Sequence, residues 1–449
     1  MKKIISILLV IAGISSFATS CKKEPNAKPV QITIQLFCDG TQFQAEGVKV
    51  TLTDASATSS YEEVTDASGI ATFVVPVGAY TAAAVHKEAI DGERIVYNGQ
   101  NANIMVSNGL TEPFELYLNK VVSQQLIIKE LYYSGCPTND NAGSYASDQY
   151  VIIYNNSSDP ADASNLIFAH TMPYMASTAN AYYQESGQLL YENLDWMPAG
   201  SGLWWFTNPV TIEPYSQIVV VFKQAINHTT EVAASVDLSD PSYYWMDNSG
   251  IPEYANNKGY MVTDAMPSTH YLTGQPFADT RGGWSLGTSE PAFFIGKMPA
   301  DQARAICLDE EGHIDQTLGT FKGMWVLKFP KECFVDGIEL FATANVDKSQ
   351  VRFPADVNTG YLAMTAKLGY SAYRNVDKEA TEALPENEGK LVYGYAGGTG
   401  NEEEGTLSTD PSGIDAEASI KNGAHIIYSE TNNTAIDFHQ RATASLRKN

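Results

Sequence analysis

Short segments in which apolar and polar residues alternate recur along the chain, whereas helical spacing is scarce. Residues 30–36, 48–53 and 125–131 each alternate with a period of two, which is typical of strands that bury one face. Turns rich in Gly, Pro, Asn and Asp separate such segments. The pattern therefore predicts an all-β protein, with a small first body and a larger second body.

The N-terminal segment has a different pattern. Lys2 and Lys3 precede an apolar run over residues 4–17, and small residues lead to Cys21. This order is typical of a lipoprotein signal peptide over residues 1–20, with a lipid anchor on Cys21 and a tether over residues 21–27. An ordinary secreted protein cleaved near Ser20 is the alternative. Later apolar runs are shorter than the roughly 18–20 residues that a membrane span needs.

Residues 28–119 contain a turn, a strand and a corner whose residues follow a familiar order. These residues are Asp66, Gly69, Ala71, Phe73, Pro76, Gly78 and Tyr80. The segment resembles the carboxypeptidase-regulatory-like, transthyretin-type family. This resemblance implies a seven-stranded, Ig-like β-sandwich that serves as a spacer or adhesive module and carries no catalytic residues.

Residues 124–449 begin with alternating segments at 125–131, 148–157 and 212–221. Their order resembles the lamin-tail domain, an immunoglobulin-like sandwich, interrupted here by an insertion over residues 171–211. We expect one large lamin-tail-like β-sandwich with long loops. Residues 377–413 contain few apolar anchors and are predicted to form a mobile surface loop.

Two C-terminal motifs point to a particular family. The segment Tyr373-Arg374-Asn375-Val376 is followed by Thr431-Asn432-Asn433-Thr434-Ala435-Ile436-Asp437-Phe438. With the two preceding modules and Cys21, they resemble an uncharacterised lipoprotein family of the Bacteroides group, a domain of unknown function. The resemblance implies an outer-membrane lipoprotein, on the cell surface or on the periplasmic face. It implies no activity.

Charge and cysteine content narrow the classes of function. The formal net charge of −24 disfavours nucleic-acid binding, since no basic patch is visible in the sequence. Four cysteines follow Cys21, and an exported protein can oxidise them. Disulfides and buried thiols both remain open for Cys38, Cys136, Cys307 and Cys333.

The densest group of potential metal ligands is Asp309, Glu311, His313 and Asp315. Carboxylates beside a glycine turn suit a hard cation such as Ca²⁺. A solvated acidic turn is the alternative, and no cofactor is expected elsewhere.

Aromatic residues are dense between positions 174 and 284. Rings that lie in polar loops can stack on sugars or planar ligands. A ligand-binding platform is therefore one hypothesis, and core packing is the other, for Trp204, Trp205, Tyr244, Trp245 and Trp284.

A Gly-x-Ser-x-Gly spacing occurs at Gly283-Trp284-Ser285-Leu286-Gly287, but no helical pattern follows it, as a nucleophile elbow requires. We therefore expect a non-catalytic binding or accessory lipoprotein that holds a glycan or small-molecule ligand. A TonB-dependent outer-membrane transporter is the partner that the family resemblance implies. A carboxylate-dependent hydrolase of glycan or peptide and a structural adhesin subunit are the alternatives.

Overall fold

The computed structural model describes residues 29–54, 59–90, 93–248, 266–277, 284, 286–320, 322–401 and 406–447. The predicted signal peptide, Cys21 and the tether lie outside these residues. The described part consists mainly of strands, so the predicted all-β class is confirmed. Its helices are short, and none is long and apolar enough to cross a membrane.

The described residues form two compact units. Unit 1 contains the chain up to Ala84 together with Gly99–Leu118, and unit 2 contains Val85–Asn98 and the chain from Asn119 onward. This division differs from the expected boundary at 28–119, because Val85–Asn98 groups with unit 2.

Unit 1 is built on an eight-stranded sheet within the described residues, in the order β2-β1-β8-β7-β6-β3-β4, with β5 paired to β1. Parts of strands β6, β7 and β8 belong to unit 2. The strands are β1 (Val30–Cys38), β2 (Thr41–Gln42), β3 (Lys49–Asp54), β4 (Ser60–Val64), β5 (Ile70–Val75), β6 (Gly78–Ile90), β7 (Glu93–Val106) and β8 (Phe114–Val122).

The turn before β5 forms as its residues predict. The carboxylate of Asp66 accepts hydrogen bonds from the backbone N–H groups of Ser68 (2.8 Å) and Ile70 (3.1 Å). Gly69 has φ +76°, and a Cβ there would overlap the carbonyl oxygen of Phe43. Only glycine fits this position without strain.

Unit 2 is organised around one large sheet of fourteen strands in the part of the chain that is described. Its main path runs β24-β23-β20-β14-β15-β19-β18-β17-β12-β9-β25-β28, and β22 pairs with β15 and β21. The strands of unit 2 are β9 (Leu126–Tyr132), β10 (Cys136–Pro137), β11 (Ser144–Tyr145), β12 (Tyr150–Asn155), β13 (Ala161–Asp162), β14 (Leu166–His170), β15 (Trp196–Phe206), β16 (Thr211–Ile212), β17 (Gln217–Val221), β18 (Tyr244–Met246), β19 (Tyr271–Pro276), β20 (Ala292–Lys297), β21 (Ile314–Asp315), β22 (Val326–Pro330), β23 (Phe334–Ala342), β24 (Leu362–Met364), β25 (Ser371–Arg374), β26 (Thr399–Asn401), β27 (Thr406–Ser408) and β28 (Phe438–Arg441).

The sheet of unit 2 curves around a shared hydrophobic interior. Strand β23 contacts β9, and β24 contacts β28, although these strands stand far apart in the pairing order. Alternate side chains, such as Val151 and Ile153 of β12 and Phe293 and Ile295 of β20, face the interior. Successive residues of a strand point to opposite faces of the sheet. The residues between these, such as Tyr150 and Ile152, are therefore buried on the outer face.

The outer face of the sheet is covered by loops and short helices. Ile167, Leu203 and Phe294 pack there with Ala303 and Cys307 of helix α1. Other parts of the outer face form two further clusters, which contain Trp245 and Tyr428, respectively. The helices are α1 (Ala300–Leu308), α2 (Lys378–Glu382), α3 (Ala416–Lys421) and α4 (Thr434–Asp437).

Two segments that were predicted to be loops belong to the framework. The expected insertion over residues 171–211 contains the long strand β15, which pairs with β14, β19 and β22 in the large sheet. The run of Pro, Gly and Ser at residues 198–202 is typical of a loop, which makes this strand difficult to recognise from sequence.

The expected mobile loop over residues 377–413 is also folded where it is described. It contains α2 and the β26–β27 pair, and Leu391 packs with Val376 and Ile414 against β9 and β12. Buried polar anchors, including Thr381, Asn387 and Asp410, stabilise this segment in place of a continuous apolar run. We call residues 377–428 the cap.

Candidate functional site

The aromatic residues proposed as a ligand platform are mostly buried. Trp204, Trp245 and Trp284 are fully buried, and Trp205 is 4% exposed. The rings of Trp204 and Trp284 pack edge to face at 5.2 Å, and Asn248 accepts hydrogen bonds from the indole N–H of Trp204 and the backbone N–H of Trp284. These four side chains therefore pack the core, and the platform hypothesis is wrong for them.

Tyr244 is the half-buried member of the predicted platform. Its ring stacks on His270 at 4.5 Å and meets Phe206 edge to face at 5.1 Å. Neighbouring rings therefore cover parts of Tyr244, and the four tryptophans do not join it on an open surface.

The predicted calcium ligands do not converge. Asp309 accepts a hydrogen bond from the backbone N–H of Gly312 and lies 2.8 Å from Nδ1 of His313. Asp315 instead accepts from the hydroxyl of Tyr182 and the backbone N–H of Thr317. Among the described residues, no three His, Cys, Asp or Glu side chains, Glu311 included, are arranged to hold a metal ion. The acidic turn is the interpretation that fits.

Three of the cysteines that were considered for pairing are thiols. Cys136 and Cys307 are buried, Cys333 is half-buried, and each is unoxidised. Burial raises the pKa of Cys136 to about 11 and that of Cys307 to about 12. These thiols therefore pack as small apolar groups and are poor nucleophiles.

A groove of about 420 Å³ lies on the surface of the cap, and we consider it the candidate binding site. This volume falls in the range of small-molecule sites. Its described lining includes two carboxylates and no Lys, Arg or His. The lining residues are Glu382, Leu384, Pro385, Asn387, Glu388, Gly389, Leu391 and Tyr393.

Tyr393 presents an aromatic ring to solvent at this groove, with 54% of the residue exposed. Its hydroxyl donates to Oε1 of Glu382 at 2.8 Å, and this hydrogen bond raises the pKa of Tyr393. Its backbone forms an antiparallel bridge to Ile414. The ring is therefore held by both its backbone and its hydroxyl while a large part of its surface remains accessible.

Asn387 also lines the groove and is buried. Its amide N–H₂ donates to the carbonyl oxygens of Thr381 (2.8 Å) and His425 (2.7 Å), and its Oδ1 accepts from the backbone N–H of His425. Asp377 caps the N-terminus of α2 by accepting from the backbone N–H of Ala380. These bonds replace sheet pairing as the source of rigidity in the cap.

Beneath the cap, a buried lysine joins it to the sheet. Nζ of Lys129, on β9, lies 2.7 Å from Oε1 of Glu417, on α3. The rings of Tyr154, Tyr373 and Tyr428 surround the ammonium at 5.7–5.9 Å. Although burial opposes it, the charge of Lys129 and the hydrogen bonds to Glu417 hold the pKa of this carboxyl below its usual range.

The two C-terminal motifs meet on neighbouring strands. Arg374 of β25 lies opposite Phe438 of β28, and its guanidinium stacks on that ring at 4.3 Å. The same guanidinium donates to Asp336 and lies 3.6 Å from a carboxylate oxygen of Asp437. Asp437 accepts in turn from Ser429 and Thr431. The motifs therefore form a buried ion network under the cap, which is a structural role.

A family model matches the middle of the chain. Residues 213–394 match the model of a family described as "Protein of unknown function (DUF4876)". This agrees with the predicted resemblance to an uncharacterised family. No curated protein matches the chain.

Two solved structures are similar to the chain. One is a DUF4876 family protein from Bacteroides thetaiotaomicron, with 18% identity over 91% of this chain and 94% of that chain and a TM-score of 0.49. The other is a DUF3823 family protein from Parabacteroides merdae, with 10% identity over 43% of this chain and 79% of that chain and a TM-score of 0.15.

The DUF4876 match ends at residue 394 and thus includes every residue that lines the groove. Sequence reasoning missed this site because it treated residues 377–413 as a loop. One signal was available: Lys129 and Glu130 interrupt an otherwise apolar strand. A charge in a fully buried strand requires a partner, and that partner lies in the cap.

Proposed function

We propose that the protein is an exported lipoprotein, anchored to the outer membrane through Cys21, that binds a ligand in the groove of the cap. The observation that carries the binding role is the accessible ring of Tyr393, held rigid beside two carboxylates. The basic n-region, the apolar run and Cys21 support the anchoring. The groove is assigned recognition and no chemistry.

The chemistry of the lining limits the ligand. Glu382 and Glu388 would repel an anion, and the described lining contains no cation to offset them. Exposed carboxylates accept hydrogen bonds from hydroxyl groups, while a tyrosine face stacks on the apolar face of a sugar ring. A neutral oligosaccharide is therefore the ligand class that we propose.

Binding can be tested with neutral gluco- and manno-oligosaccharides by saturation-transfer NMR and calorimetry. We expect the wild-type protein to bind a neutral oligosaccharide and Tyr393→Ala to lower that affinity at least tenfold. A sulfated glycan should not bind. Tyr117→Ala is a matched control, because Tyr117 is 57% exposed and donates to Glu115 at 2.7 Å, much as Tyr393 donates to Glu382. The absence of binding by every neutral glycan, or equal losses in both variants, would overturn the proposal.

Anchoring can be tested separately by metabolic labelling with a palmitate analogue. We expect the label and the outer-membrane fraction to be lost together in Cys21→Ala. We also propose a TonB-dependent transporter as the partner, as the family resemblance implies. Cross-linking in intact cells should recover such a transporter with the wild-type protein and not with Cys21→Ala. Recovery of no transporter would argue against this partner.

A further inference from the structure

Ser201 occupies a corner at which β15 passes from one set of partners to another. Residues Trp196–Ala199 pair with β22, and Gly202–Phe206 pair with β19. Between these segments Ser201 has φ +64°, in the left-handed region that non-glycine residues rarely adopt. Such strained residues cluster at functional sites, and the observed outlier justifies asking what Ser201 does.

The glycine before Ser201 allows a histidine to approach the corner. A Cβ at Gly200 would lie 2.5 Å from Cε1 of His170, so only glycine leaves room for the imidazole. Nε2 of His170 lies 3.2 Å from Oγ of Ser201. The hydroxyl of Tyr174 forms a hydrogen bond to the same Oγ.

The hydrogen bonds fix the direction in which protons are donated. Nδ1 of His170 lies 3.1 Å from the carbonyl oxygen of Thr171, which can only accept, so Nδ1 carries the proton. Nε2 then presents its lone pair to Ser201. The serine hydroxyl therefore donates to His170 and accepts from Tyr174. In this tautomer His170 is oriented as a base toward the serine.

The surroundings keep the imidazole neutral. Burial lowers the pKa of His170 to about 4, and the guanidinium of Arg352 acts in the same direction. Arg352 is itself paired with Glu339, with its Nε 2.9 Å from Oε1 of that carboxylate. Ser201 keeps 8% of its surface exposed, and Tyr174 is half-buried. The base is thus shielded from solvent, and Ser201 is buried apart from this small exposed fraction.

We propose that Ser201 is an acyl-accepting nucleophile, with His170 as its general base, and that it acts on small esters. This activity goes beyond the proposed binding function and does not involve the groove. His170 and Met172 crowd the corner, since a Cβ at Gly200 would contact both side chains. The small exposed fraction of Ser201 favours a short acyl group.

The chemical step follows from the direction of the hydrogen bonds. Oγ of Ser201 bonds to the ester carbonyl carbon as its proton passes to Nε2 of His170. The carbon–oxygen bond to the leaving alcohol breaks, and the alcohol takes that proton from Nε2. Water then attacks the acyl-serine, gives its proton to Nε2 and releases the carboxylic acid. Nε2 returns the proton to Ser201, so that each atom and proton is accounted for.

A fluorophosphonate probe tests the proposal directly, because it phosphonylates an activated serine irreversibly. We expect labelling of Ser201 in the folded protein, located by mass spectrometry. Ser235 is the internal control, since its hydroxyl is also buried and hydrogen-bonded, to Oδ2 of Asp148 at 2.5 Å. It should remain unlabelled, because a hydrogen bond alone does not make a serine a nucleophile.

Variants separate a base from a merely structural histidine. His170→Asn should reduce the labelling rate at least a hundredfold, whereas Tyr174→Phe, which keeps the base, should change it less than about threefold. Melting curves verify that each variant folds. The labelling rate should be constant from pH 5 to 8 and fall only below about pH 4. Absence of label on folded Ser201, or full labelling of a folded His170→Asn variant, would overturn the proposal.

Discussion

Nζ of Lys129 lies 2.7 Å from Oε1 of Glu417, and only 1% of the lysine side chain is exposed. The two residues are far apart in sequence, and their pairing fastens the cap to β9. Three tyrosine rings exclude water from the ammonium. A charge in such a place is strongly destabilising once its partner is removed.

Lys129→Met is therefore expected to lower the free energy of unfolding of unit 2 by about 3 kcal/mol, because Glu417 loses its cation inside the protein. All six tryptophans of the chain belong to unit 2, so urea unfolding followed by tryptophan fluorescence measures this unit. Lys322→Met is the control, since Lys322 and Glu310 form an exposed pair at 4.0 Å in the same unit. The control should cost less than about 1 kcal/mol, and equal effects would contradict the expectation.

The stability of unit 2 should also depend on pH through Glu430, which is fully buried. Burial, together with the nearby carboxylates of Asp336 and Asp437, raises the pKa of Glu430 to about 8. Between its unfolded value near 4.5 and 8, the folded protein keeps the proton that the unfolded chain loses. Stability therefore falls as the pH rises through this window, by at most about 1.4 kcal/mol per pH unit from this group.

Glu430→Gln is expected to flatten this decline, since an amide cannot ionise. Unfolding free energies measured at intervals from pH 5 to pH 9 give the slope for both proteins. Glu386→Gln is a suitable control, because Glu386 is exposed and its hydrogen bonds, including the one with His425, lower its pKa instead. An unchanged slope in Glu430→Gln would show that this carboxyl is ionised in the folded protein.

Gly69→Ala should destabilise unit 1 more than the same change at Gly109. Both glycines have positive φ, but a Cβ at Gly69 would overlap the carbonyl of Phe43, while nothing lies within 4 Å at Gly109. We expect about 1–2 kcal/mol at Gly109 from backbone strain alone and more than about 3 kcal/mol at Gly69. Hydrogen exchange measured by mass spectrometry reports on the Gly69 turn through β1 and β5 and on the Gly109 turn through β7 and β8. Similar losses of protection in both variants would contradict the argument.

The local features of the fold could be predicted from the sequence because short-range rules determine them. The turn at Asp66 and Gly69 depends only on local features, namely the hydrogen bonds that the Asp66 carboxylate accepts and the positive φ of Gly69. The segments at 125–131 and 148–157 were likewise predicted as strands, and they form β9 and β12. The strand β15 was missed because small and turn-forming residues at 198–202 interrupt its apolar positions.

The candidate sites could not be predicted because they depend on distant pairings. The groove requires residues 382–393 to fold as a cap, which in turn depends on Lys129 more than 250 residues earlier. His170 and Ser201 meet only because β14 pairs with β15 through a bulge. The tryptophans misled the prediction because loop-like neighbours such as Asn and Ser also surround aromatic residues that fill a core.

The pairing order of unit 2 has a consequence for how the chain acquires its structure. Strand β9 is the first strand of the large sheet along the chain, yet its neighbour on one side is β25, which pairs in turn with β28 near the C-terminal end. The long chain segment between β9 and β25 must close before these two strands can pair, and this closure costs conformational entropy. Folding of unit 2 should therefore be slow. A ribosome must release nearly the whole polypeptide before β9 can pair with both of its neighbouring strands. Until then one edge of β9 is unpaired, and chaperones can bind it.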